Sequence, residues 1–462
     1  MNLVMALEMA AECHPQRIAV SSGGLRLTYS DLLDAARAGA QVIREAGVKY
    51  VGLLDVNSPA VPIALFAAAY AGVPYVPMNY RLTKVEIEAL LGRIAPAMLI
   101  SDTSVLAPLN VPTGVQVMLR GEFQRVALAS KSEAIAAPGE PHDTAIQLFT
   151  SGTTGKPKAA VLRHQNLMSY VLGTVEFGGA AEEDAILISV PPYHIAGISA
   201  VLSSTYSCRR MVQLPNFDAA TWLQLCRDEK VTNAFVVPTM LSRIVDHLQQ
   251  ERGAGSVPSL RAIAYGGGKM PLAVIEQAMR LFPGVDFTNA YGLTETSSTI
   301  CLLGPDDHRG AFDSGDPLVR RRLASVGKPV PTIELEVRGE AGEVLGPGQS
   351  GEVFVRGGQV AGEYLEQGSL LDTDGWFPTR DRGHVDEYGY VYLEGRADDV
   401  IVRGGENISP GEVEEVLRLH PAVADVAVVA VHDEQWGEAV GAVVVARPGT
   451  SVQPADLQDW VR

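Results

Sequence analysis

The sequence has few cysteines and few basic residues for its length. Its 462 residues include four cysteines, Cys13, Cys208, Cys226 and Cys301, and no two of them form a C-x-x-C pair. This scatter argues against a disulfide framework or a zinc site, and it predicts a reducing, cytoplasmic location. Lys and Arg total 37 against 54 Asp and Glu, giving a formal net charge of −17. Because nucleic-acid binding needs a broad basic surface, we expect no nucleic-acid partner.

Long uninterrupted apolar runs are also missing. Residues 56–80 carry no charge, but Pro59, Pro62, Pro74 and Pro77 interrupt them. A membrane span needs about 20 predominantly apolar residues in a row, so the segment predicts a buried helix between two strands. No basic region followed by an apolar stretch opens the chain, and we therefore expect neither a secretory signal nor a transmembrane segment.

Strand and helix patterns alternate along most of the chain. The predicted order is strand, helix, strand, helix, strand, helix, strand, at 185–192, 217–229, 232–238, 239–249, 260–268, 271–282 and 285–292. This alternation is typical of parallel sheets covered by helices. From about Ser325 the pattern changes to the short alternating strands TIELEVRG, GEVFVRG and GYVYLEG, which predict a smaller β-rich subdomain.

After Gly395 the pattern indicates a compact α+β unit with one helix, in ISPGEVEEVLRLH, and two strong strands. A further helix opens at Pro454 and stops with the chain at Arg462, so we expect this unit to lack a C-terminal segment. The sequence thus predicts an α/β fold in two domains. Residues 1–397 form a large domain of two helix-covered, parallel-type sheets with a β-barrel-like subdomain, and residues 398–462 form a small, partial α+β domain.

The segment TSGTTGKPK, residues 150–158, combines Ser and Thr hydroxyls with two glycines and two lysines. Backbone amides, hydroxyls and ammonium groups can converge there on a polyanion, which indicates phosphate binding. The segment is not a Walker A loop, because G-x-x-x-x-G-K-[ST] is not satisfied. A flexible polar surface loop is the alternative interpretation.

Three further motifs follow this loop along the chain. They are YGLTE at 291–295, TRDRGHVDEYGYVYLEGR at 379–396 and DDVIVRGGENISPGEVE at 398–414. In order and spacing the four motifs resemble the signatures of the acyl-adenylate-forming superfamily, which contains acyl-CoA synthetases, peptide-synthetase adenylation domains and luciferases. The resemblance implies two steps: a carboxylate attacks the α-phosphate of ATP and releases pyrophosphate, and a thiol then displaces AMP.

The resemblance implies a nucleotide site built from these motifs. The 150–158 loop, with Lys158, would hold the β- and γ-phosphates, Thr294 would contact the α-phosphate, and Glu295 would ligate Mg²⁺. Asp381 would accept hydrogen bonds from the ribose hydroxyls. The implied ATP-binding residues are Thr150, Ser151, Gly152, Thr153, Thr154, Gly155, Lys156, Gly266, Gly267, Gly268, Asn289, Ala290, Tyr291, Gly292, Asp381 and Arg396.

Adenine would lie between an aromatic ring and bare backbone. Tyr291 offers a flat face, and the glycines at 266–268 would let the backbone approach the other face. Asn289 would read the adenine edge, and a turn-forming Asn at a strand end is the alternative. Arg380 stands where the family usually has glycine before the ribose-binding aspartate.

The resemblance also places the acid substrate. His194, in PPYHIAG, matches a family position near the substrate carboxylate and the metal, and a purely structural histidine is the alternative. The acid would lie among His194, Val237, Pro238, Thr239, Gly266 and Thr299. Much of this lining is small and apolar, so we expect a hydrophobic acid, and alkyl and aryl acids both stay open.

Three more features bear on the second step. Asp398 resembles the hinge around which the family's small domain turns, and Gly404 and Gly405 would line the tunnel for the CoA arm. The basic run Arg320–Arg322 would meet CoA phosphates or an anionic membrane surface, although a solvated patch is the commoner explanation for such a run.

We therefore predict an acid:CoA ligase that uses ATP, Mg²⁺ and CoA on a fatty or aromatic acid. Two other classes stay open: an adenylating enzyme that loads an acyl carrier protein, and a non-catalytic nucleotide-binding relative. The family's catalytic lysine lies in a C-terminal Gly-Lys motif, and nothing in 399–462 matches it. We therefore expect slow adenylation by the chain as given. Monomer and homodimer both fit the sequence.

Overall fold

The polypeptide folds as an α/β protein. The computed structural model describes residues 1–129, 139–150, 157–250, 257–396, 399–403, 406–408, 410–433, 436–447 and 449–461. Its helices are α1 (Val4–Cys13), α2 (Tyr29–Glu45), α3 (Ala60–Ala71), α4 (Lys84–Arg93), α5 (Thr103–Leu106), α6 (Arg120–Ala129), α7 (His164–Thr174), α8 (Ile195–Tyr206), α9 (Ala219–Asp228), α10 (Pro238–Gln250), α11 (Leu272–Leu281), α12 (Pro305–Asp313), α13 (Pro317–Arg320), α14 (Pro410–Arg418) and α15 (Pro454–Val461).

The strands follow the same chain order and fall into four sheets. They are β1 (Ile18–Ser22), β2 (Leu25–Thr28), β3 (Tyr50–Leu54), β4 (Tyr75–Pro77), β5 (Ala97–Ser101), β6 (Val115–Leu119), β7 (Thr144–Thr150), β8 (Lys158–Arg163), β9 (Ala185–Ile188), β10 (Arg210–Gln213), β11 (Asn233–Val236), β12 (Ala262–Gly266), β13 (Asp286–Leu293), β14 (Ser298–Leu303), β15 (Lys328–Pro329), β16 (Glu334–Arg338), β17 (Gly351–Arg356), β18 (Glu363–Tyr364), β19 (Gly368–Ser369), β20 (Phe377–Val385), β21 (Val391–Arg396), β22 (Ile401–Arg403), β23 (Glu406–Ile408), β24 (Val423–Asp433) and β25 (Gly437–Ala446).

The largest sheet has nine strands and carries most of the predicted motifs. Its strand order is β15-β14-β13-β12-β11-β9-β10-β1-β2. The six strands from β13 to β1 in this order run parallel. The flanking strands β14 and β2 are antiparallel to them, and the edge strand β15 pairs with β14 in antiparallel fashion. Open parallel sheets bind ligands beyond the carboxyl ends of their strands, so the segments after β9 to β13 meet along one edge of the sheet.

The second sheet has eight strands in the order β19-β18-β8-β7-β4-β3-β5-β6. Its five strands from β7 to β6 are parallel, and β8 and β18 continue the sheet in antiparallel fashion. The short strand β18 lies on this sheet although it follows β17 of another sheet, so the chain returns here after the β-rich segment.

Two four-stranded antiparallel sheets complete the structure. The predicted β-rich subdomain has the order β16-β17-β20-β21, and the C-terminal unit has the order β23-β22-β25-β24. The helices α14 and α15 accompany the C-terminal sheet. The predicted α/β fold, with a large N-terminal part and a small C-terminal part, is confirmed.

The uncharged segment 56–80 contributes a buried helix. Every residue from Ala60 to Tyr70 in α3 is buried, and the helix ends at Gly72 with a left-handed φ of 76°. Residues of α1, α2, α3, α7 and α8 share one apolar core with strands of both large sheets. Nowhere in the described ranges is there a helix long and apolar enough to cross a membrane.

Polar side chains mark where several helices begin. Thr28 and Asp31 cap the start of α2 reciprocally, each side chain bonding to the other's backbone. The Asp218 carboxylate accepts a hydrogen bond from the Thr221 amide at the start of α9. Such caps satisfy backbone donors that have no partner within the helix, and they fix where each helix begins.

A close strand contact explains the first glycine of the GGG turn. Gly266 ends β12 opposite Ala290 of β13, and a Cβ atom at residue 266 would lie 2.1 Å from the Ala290 carbonyl oxygen. No such contact is tolerated without a backbone shift. The missing side chain at residue 266 is therefore required by the packing of two strands, whatever ligand approaches nearby.

We predict that Gly266→Ala lowers the free energy of unfolding by about 1–3 kcal/mol, the usual cost of overpacking a tight site. Gly310→Ala is the matched control, because Gly310 lies in α12 with nothing within 4 Å of an added Cβ. In a helix this control should be neutral or stabilising. Chemical denaturation of both variants checks the prediction, and equal stabilities would contradict it.

Candidate active site

A short turn after β13 presents the acidic residue of the YGLTE motif. Glu295 lies in a 3-10 turn, Thr294–Thr296, and the next two residues, Ser297 and Ser298, have positive φ of 56° and 116°. Positive φ is unfavourable for residues with a side chain, so neighbouring contacts must hold this turn in shape.

The segment 359–364 supplies those contacts. The amides of Ala361 and Gly362 donate to the Glu295 carbonyl oxygen at 2.8 and 3.0 Å. The fully buried Gln359 amide donates to the carbonyls of Thr296 and Thr299 at 3.1 and 2.8 Å. We call segment 359–364 the clamp segment, because its hydrogen bonds fix the backbone on both sides of the acidic turn.

Tyr364 of the clamp segment gathers the first cluster of functional side chains. Its hydroxyl donates to the Glu295 carboxylate, and the Thr150 side chain lies beside the same hydroxyl. The Lys158 ammonium nitrogen lies 5.6 Å from the centre of the Tyr364 ring. Burial and the Glu295 charge raise the pKa of Tyr364, so its hydroxyl stays protonated as a donor at neutral pH.

Asp381 is the centre of a second cluster. The Tyr291 hydroxyl donates to one Asp381 oxygen at 2.5 Å, and Arg396 lies 3.3 Å from the other. Burial raises the pKa of Asp381, and the Arg396 cation and the Tyr291 hydroxyl partly offset this effect. Glu295 also raises the pKa of Asp381, so the two clusters lie within electrostatic reach of each other.

The backbone before Asp381 keeps the shape that glycine would give it. Arg380 has a φ of 63°, in the left-handed region that glycine adopts without cost. The departure from the family's usual glycine therefore leaves the backbone geometry intact and introduces local strain. The Thr379 hydroxyl accepts a hydrogen bond from the Asp381 amide at 3.1 Å, which helps to hold the strained turn.

These two clusters fit a magnesium nucleotide. Within the described ranges, no group of three or more His, Cys, Asp or Glu side chains could hold a metal ion alone. Glu295 provides one carboxylate, which suits Mg²⁺, because this ion commonly takes one or two protein carboxylates and completes its shell with phosphate and water. Lys158, beside the Tyr364 ring, and Arg396, beside Asp381, supply positive charge near the two carboxylates.

Some of the other predicted nucleotide-binding residues make contacts within the protein, and several lie outside the described residues. The Asn289 side-chain amide donates to the Ser325 carbonyl at 3.1 Å, so one of its two N–H hydrogens is bonded within the protein. Gly292, like Gly266, is required by packing, because a Cβ atom there would lie 1.9 Å from the Ser298 carbonyl oxygen. Ser151, Gly152, Thr153, Thr154, Gly155, Lys156, Asp398, Gly404 and Gly405 lie outside the described residues.

A cavity of about 240 Å³ opens beside this region, at the carboxyl ends of β9, β10 and β11. It is lined by Arg81, Val190, Pro191, Tyr193, His194, Phe217, Val237, Thr239, Met240 and Arg243. Strand β12, which ends in the GGG turn, separates the cavity from the nucleotide clusters at the end of β13. An acid in the cavity would therefore lie next to a nucleotide at the clusters.

Three of the six predicted pocket residues line this cavity: His194, Val237 and Thr239. Pro238, Gly266 and Thr299 are not among the residues that line it. A Cβ atom at residue 268 would lie 3.6 Å from the Pro238 ring, the Gly266 backbone packs against Ala290, and the Thr299 carbonyl accepts a hydrogen bond from the clamp segment.

Sequence reasoning missed the aromatic and cationic part of the lining. The Tyr193 ring lies 4.5 Å from the His194 ring and 5.5 Å from the Tyr80 ring, measured between centres. Surrounding protein and the Arg81 cation lower the pKa of His194, which therefore stays neutral at neutral pH although part of it is exposed. Arg81 follows β4, and its place after a predicted parallel strand was the available signal.

The basic run at 320–322 is used within the fold. Arg320 pairs with Glu276, Arg321 lies over the Tyr392 ring at 4.9 Å, and Arg322 lies over the Tyr390 ring at 4.7 Å. These contacts give each arginine a local role in packing.

Comparison with known proteins shows which family the chain resembles over nearly its full length. A family model described as AMP-binding enzyme matches residues 7–365, and a model described as AMP-binding enzyme C-terminal domain matches residues 412–462. An indoleacetate–CoA ligase of Aromatoleum aromaticum is 31% identical over 98% of this chain and 89% of its own length. A fatty acid–[acyl-carrier-protein] ligase, ScoC of Streptomyces coeruleorubidus, is 32% identical over 100% of this chain and 89% of its own length.

A solved structure shows the same fold. O-succinylbenzoate coenzyme A synthetase (MenE) of Bacillus subtilis, in complex with ATP and magnesium ion, has a TM-score of 0.84 and 30% identity, covering 98% of this chain and 92% of its own. Fold and site together define an ATP-dependent, AMP-forming acid–thiol ligase. The chain belongs to the AMP-binding enzyme family. The predicted superfamily and enzyme class are confirmed.

We predict that Glu295→Gln slows ATP–pyrophosphate exchange by about 10²-fold or more, because a preorganised charge at the reacting phosphates is lost. The fold should persist, since the amide oxygen of the introduced glutamine can still accept from the Tyr364 hydroxyl. Glu387→Gln, in the exposed β20–β21 turn, is the matched control. Equal exchange rates in the two variants would remove Glu295 from the site.

We also predict that Arg380→Gly raises the free energy of unfolding by about 0.5–1 kcal/mol. Relief of left-handed strain is worth about 1–2 kcal/mol, and the extra chain entropy of glycine offsets about half of it. Arg382→Gly, in the same strand without positive φ, should destabilise instead. Denaturation curves for both variants decide the matter, and equal destabilisation would refute strain at Arg380.

Proposed function

We propose that the chain is an acid:CoA ligase whose acid has an apolar, ring-sized body. The observation that carries the proposal is the single edge of the nine-stranded sheet, where the nucleotide clusters and the cavity are adjacent. An apolar cavity of about 150 Å³ can hold benzene, so a volume of 240 Å³ suits a ring with a short arm. Tyr193 and Phe217 supply aromatic lining.

The residues have distinct roles in this proposal. Lys158, Thr150 and Thr294 hold the phosphates, and Glu295 holds the magnesium ion, which neutralises charge on the departing pyrophosphate. Asp381 accepts hydrogen bonds from the ribose hydroxyls, and Arg396 fixes the Asp381 carboxylate. The neutral His194 lies at the cavity, where its one ring N–H can donate a hydrogen bond to the substrate carboxylate.

Domain movement belongs to the same proposal. We infer an N-terminal domain, 1–397, and a mobile C-terminal domain, 398–462, that turns about Asp398 between the two half-reactions. Separate family matches to the two parts support this division. We further propose a cytoplasmic location, which the scattered, unpaired cysteines favour.

A carrier protein is the second candidate acceptor. The ScoC relative, by its name, joins a fatty acid to an acyl carrier protein, and it matches this chain as well as the CoA ligase relative does. Both candidates share the adenylation step and differ only in the thiol that enters in the second step. The acceptor therefore has to be tested separately from the acid.

A substrate screen tests the proposal. Pyrophosphate release is measured with ATP and benzoate, phenylacetate, 3-phenylpropanoate, octanoate or palmitate, and thioester formation is followed with free CoA or a phosphopantetheinylated carrier protein. We expect an aromatic acid with a short arm to be preferred over palmitate by at least about tenfold, since a methylene group that does not fit its pocket costs about that much. Thioester on the carrier protein alone would favour the second candidate. Adenylate analogues that fail to bind would overturn both.

A further inference from the structure

One arginine contacts both strands that carry the proposed phosphate-binding residues Thr150 and Lys158. These two residues pair with each other across β7 and β8. The guanidinium carbon of Arg93, at the end of α4, lies 4.6 Å from the centre of the Phe149 ring, one residue before Thr150. The same guanidinium group donates to the Pro157 carbonyl oxygen at 2.7 Å, one residue before Lys158. A single side chain therefore ties the two strands together at this point.

Glu366 holds the other side of Lys158. Its carboxylate accepts a hydrogen bond from the Ala159 amide at 3.3 Å and forms an ion pair with Arg93. The neighbouring Leu365 amide donates to the Ala159 carbonyl oxygen at 2.9 Å. The carbonyl group of the residue before Lys158 and the amide group of the residue after it are therefore both bound by one ion pair.

This arrangement bears on the geometry of Lys158 more than on stability. The Arg93 and Glu366 side chains are 32% and 43% exposed, and ion pairs with such exposure contribute little to stability. A lysine has a long, flexible side chain, so a fixed backbone reduces the freedom that it loses when it holds a phosphate. The Arg93 cation also offsets the Glu366 charge, which would otherwise repel a phosphate near Lys158.

A second ion pair joins β8 to the β18 segment at the other end of β8. Arg163 lies 2.7 Å from Glu363, and its side chain is 32% exposed, as that of Arg93 is. Arg163 is the last residue of β8 and pairs with Thr144 at the start of β7, whereas Lys158 is the first residue of β8. The two ion pairs therefore make similar links between the same segments and differ in their distance from Lys158.

We propose that Arg93 and Glu366 are positioning residues that fix Lys158 for the terminal phosphates of ATP. This inference rests on the proposed function, in which Lys158 holds those phosphates. The two residues act through the backbone groups on either side of Lys158. Removing either side chain should therefore weaken the binding of ATP more than that of AMP, which lacks the β- and γ-phosphates.

Calorimetry with two nucleotides tests the inference, in the presence of Mg²⁺ and without an acid. One nucleotide is α,β-methylene-ATP, which cannot release pyrophosphate, and the other is AMP. We expect Arg93→Gln and Glu366→Ala each to raise the dissociation constant of the ATP analogue by about tenfold and that of AMP by less than about twofold. Arg93→Lys should restore part of the loss, because lysine keeps the charge without the planar fork. Unchanged AMP binding also shows that each variant is folded.

A double variant shows whether Arg93 acts through Lys158. Lys158→Met should itself weaken the ATP analogue by about tenfold or more. Adding Arg93→Gln to Lys158→Met should then cause less than about a twofold further loss, because both changes remove the same interaction. Arg163→Gln is the matched control, and it should keep the ratio of the two dissociation constants although it breaks the link at the other end of β8.

The outcomes are distinguishable. If Arg93→Gln weakens both nucleotides equally, or if its effect adds in full to that of Lys158→Met, the ion pair does not position Lys158 and the inference fails. An equal change of the ratio in Arg163→Gln would also overturn it. In these cases a selective loss in Lys158→Met still supports the proposed role of Lys158. If Lys158→Met leaves the binding of the ATP analogue unchanged, that role fails together with the inference.

Discussion

Hydrogen bonds from the clamp segment to the acidic turn are the interaction on which the site depends. Segment 359–364 ends in β18, on the eight-stranded sheet, while the turn that carries Glu295 follows β13 of the nine-stranded sheet. Gln359 has no exposed surface, and an unpaired buried amide would be costly, so its two hydrogen bonds are strongly maintained. The clamp therefore holds residues of both sheets together at the candidate active site.

The clamp segment also brings the charged side chains of the site close together. Glu295 and Asp381 place two negative charges at the candidate site of a chain that is already acidic. Lys158 and Arg396 offset part of this negative charge. The Glu295 charge raises the pKa of Asp381, and a bound cation would relieve the repulsion between the two carboxylates. The protein's own cations therefore leave negative charge at the site, which a bound metal ion would neutralise.

Much of the fold was predictable because its signals are local. Strands β9, β11, β12 and β13 and the helices between them appear in the sequence as short apolar runs, caps and glycine turns. The motif residues Glu295, Asp381 and Lys158 lie near one another in the structure, and their roles stay predictions. Tyr364 and Gln359 were missed because their roles depend on a strand that returns to another sheet. No local pattern reports such a return.

The same limit explains the difference between the predicted and observed pocket. The resemblance assigned Gly266 and Thr299 to the acid, and neither lines the cavity. Their backbone contacts, with Ala290 and with Gln359, join segments that are distant in the sequence. Arg81 and Arg243 reach the cavity from two separate sheets, so only the assembled structure could place them together. Both arginines lie on a loop or a helix and not on a strand of the nine-stranded sheet. A substitution at either would therefore change the cavity lining and leave the strand pairing of that sheet intact.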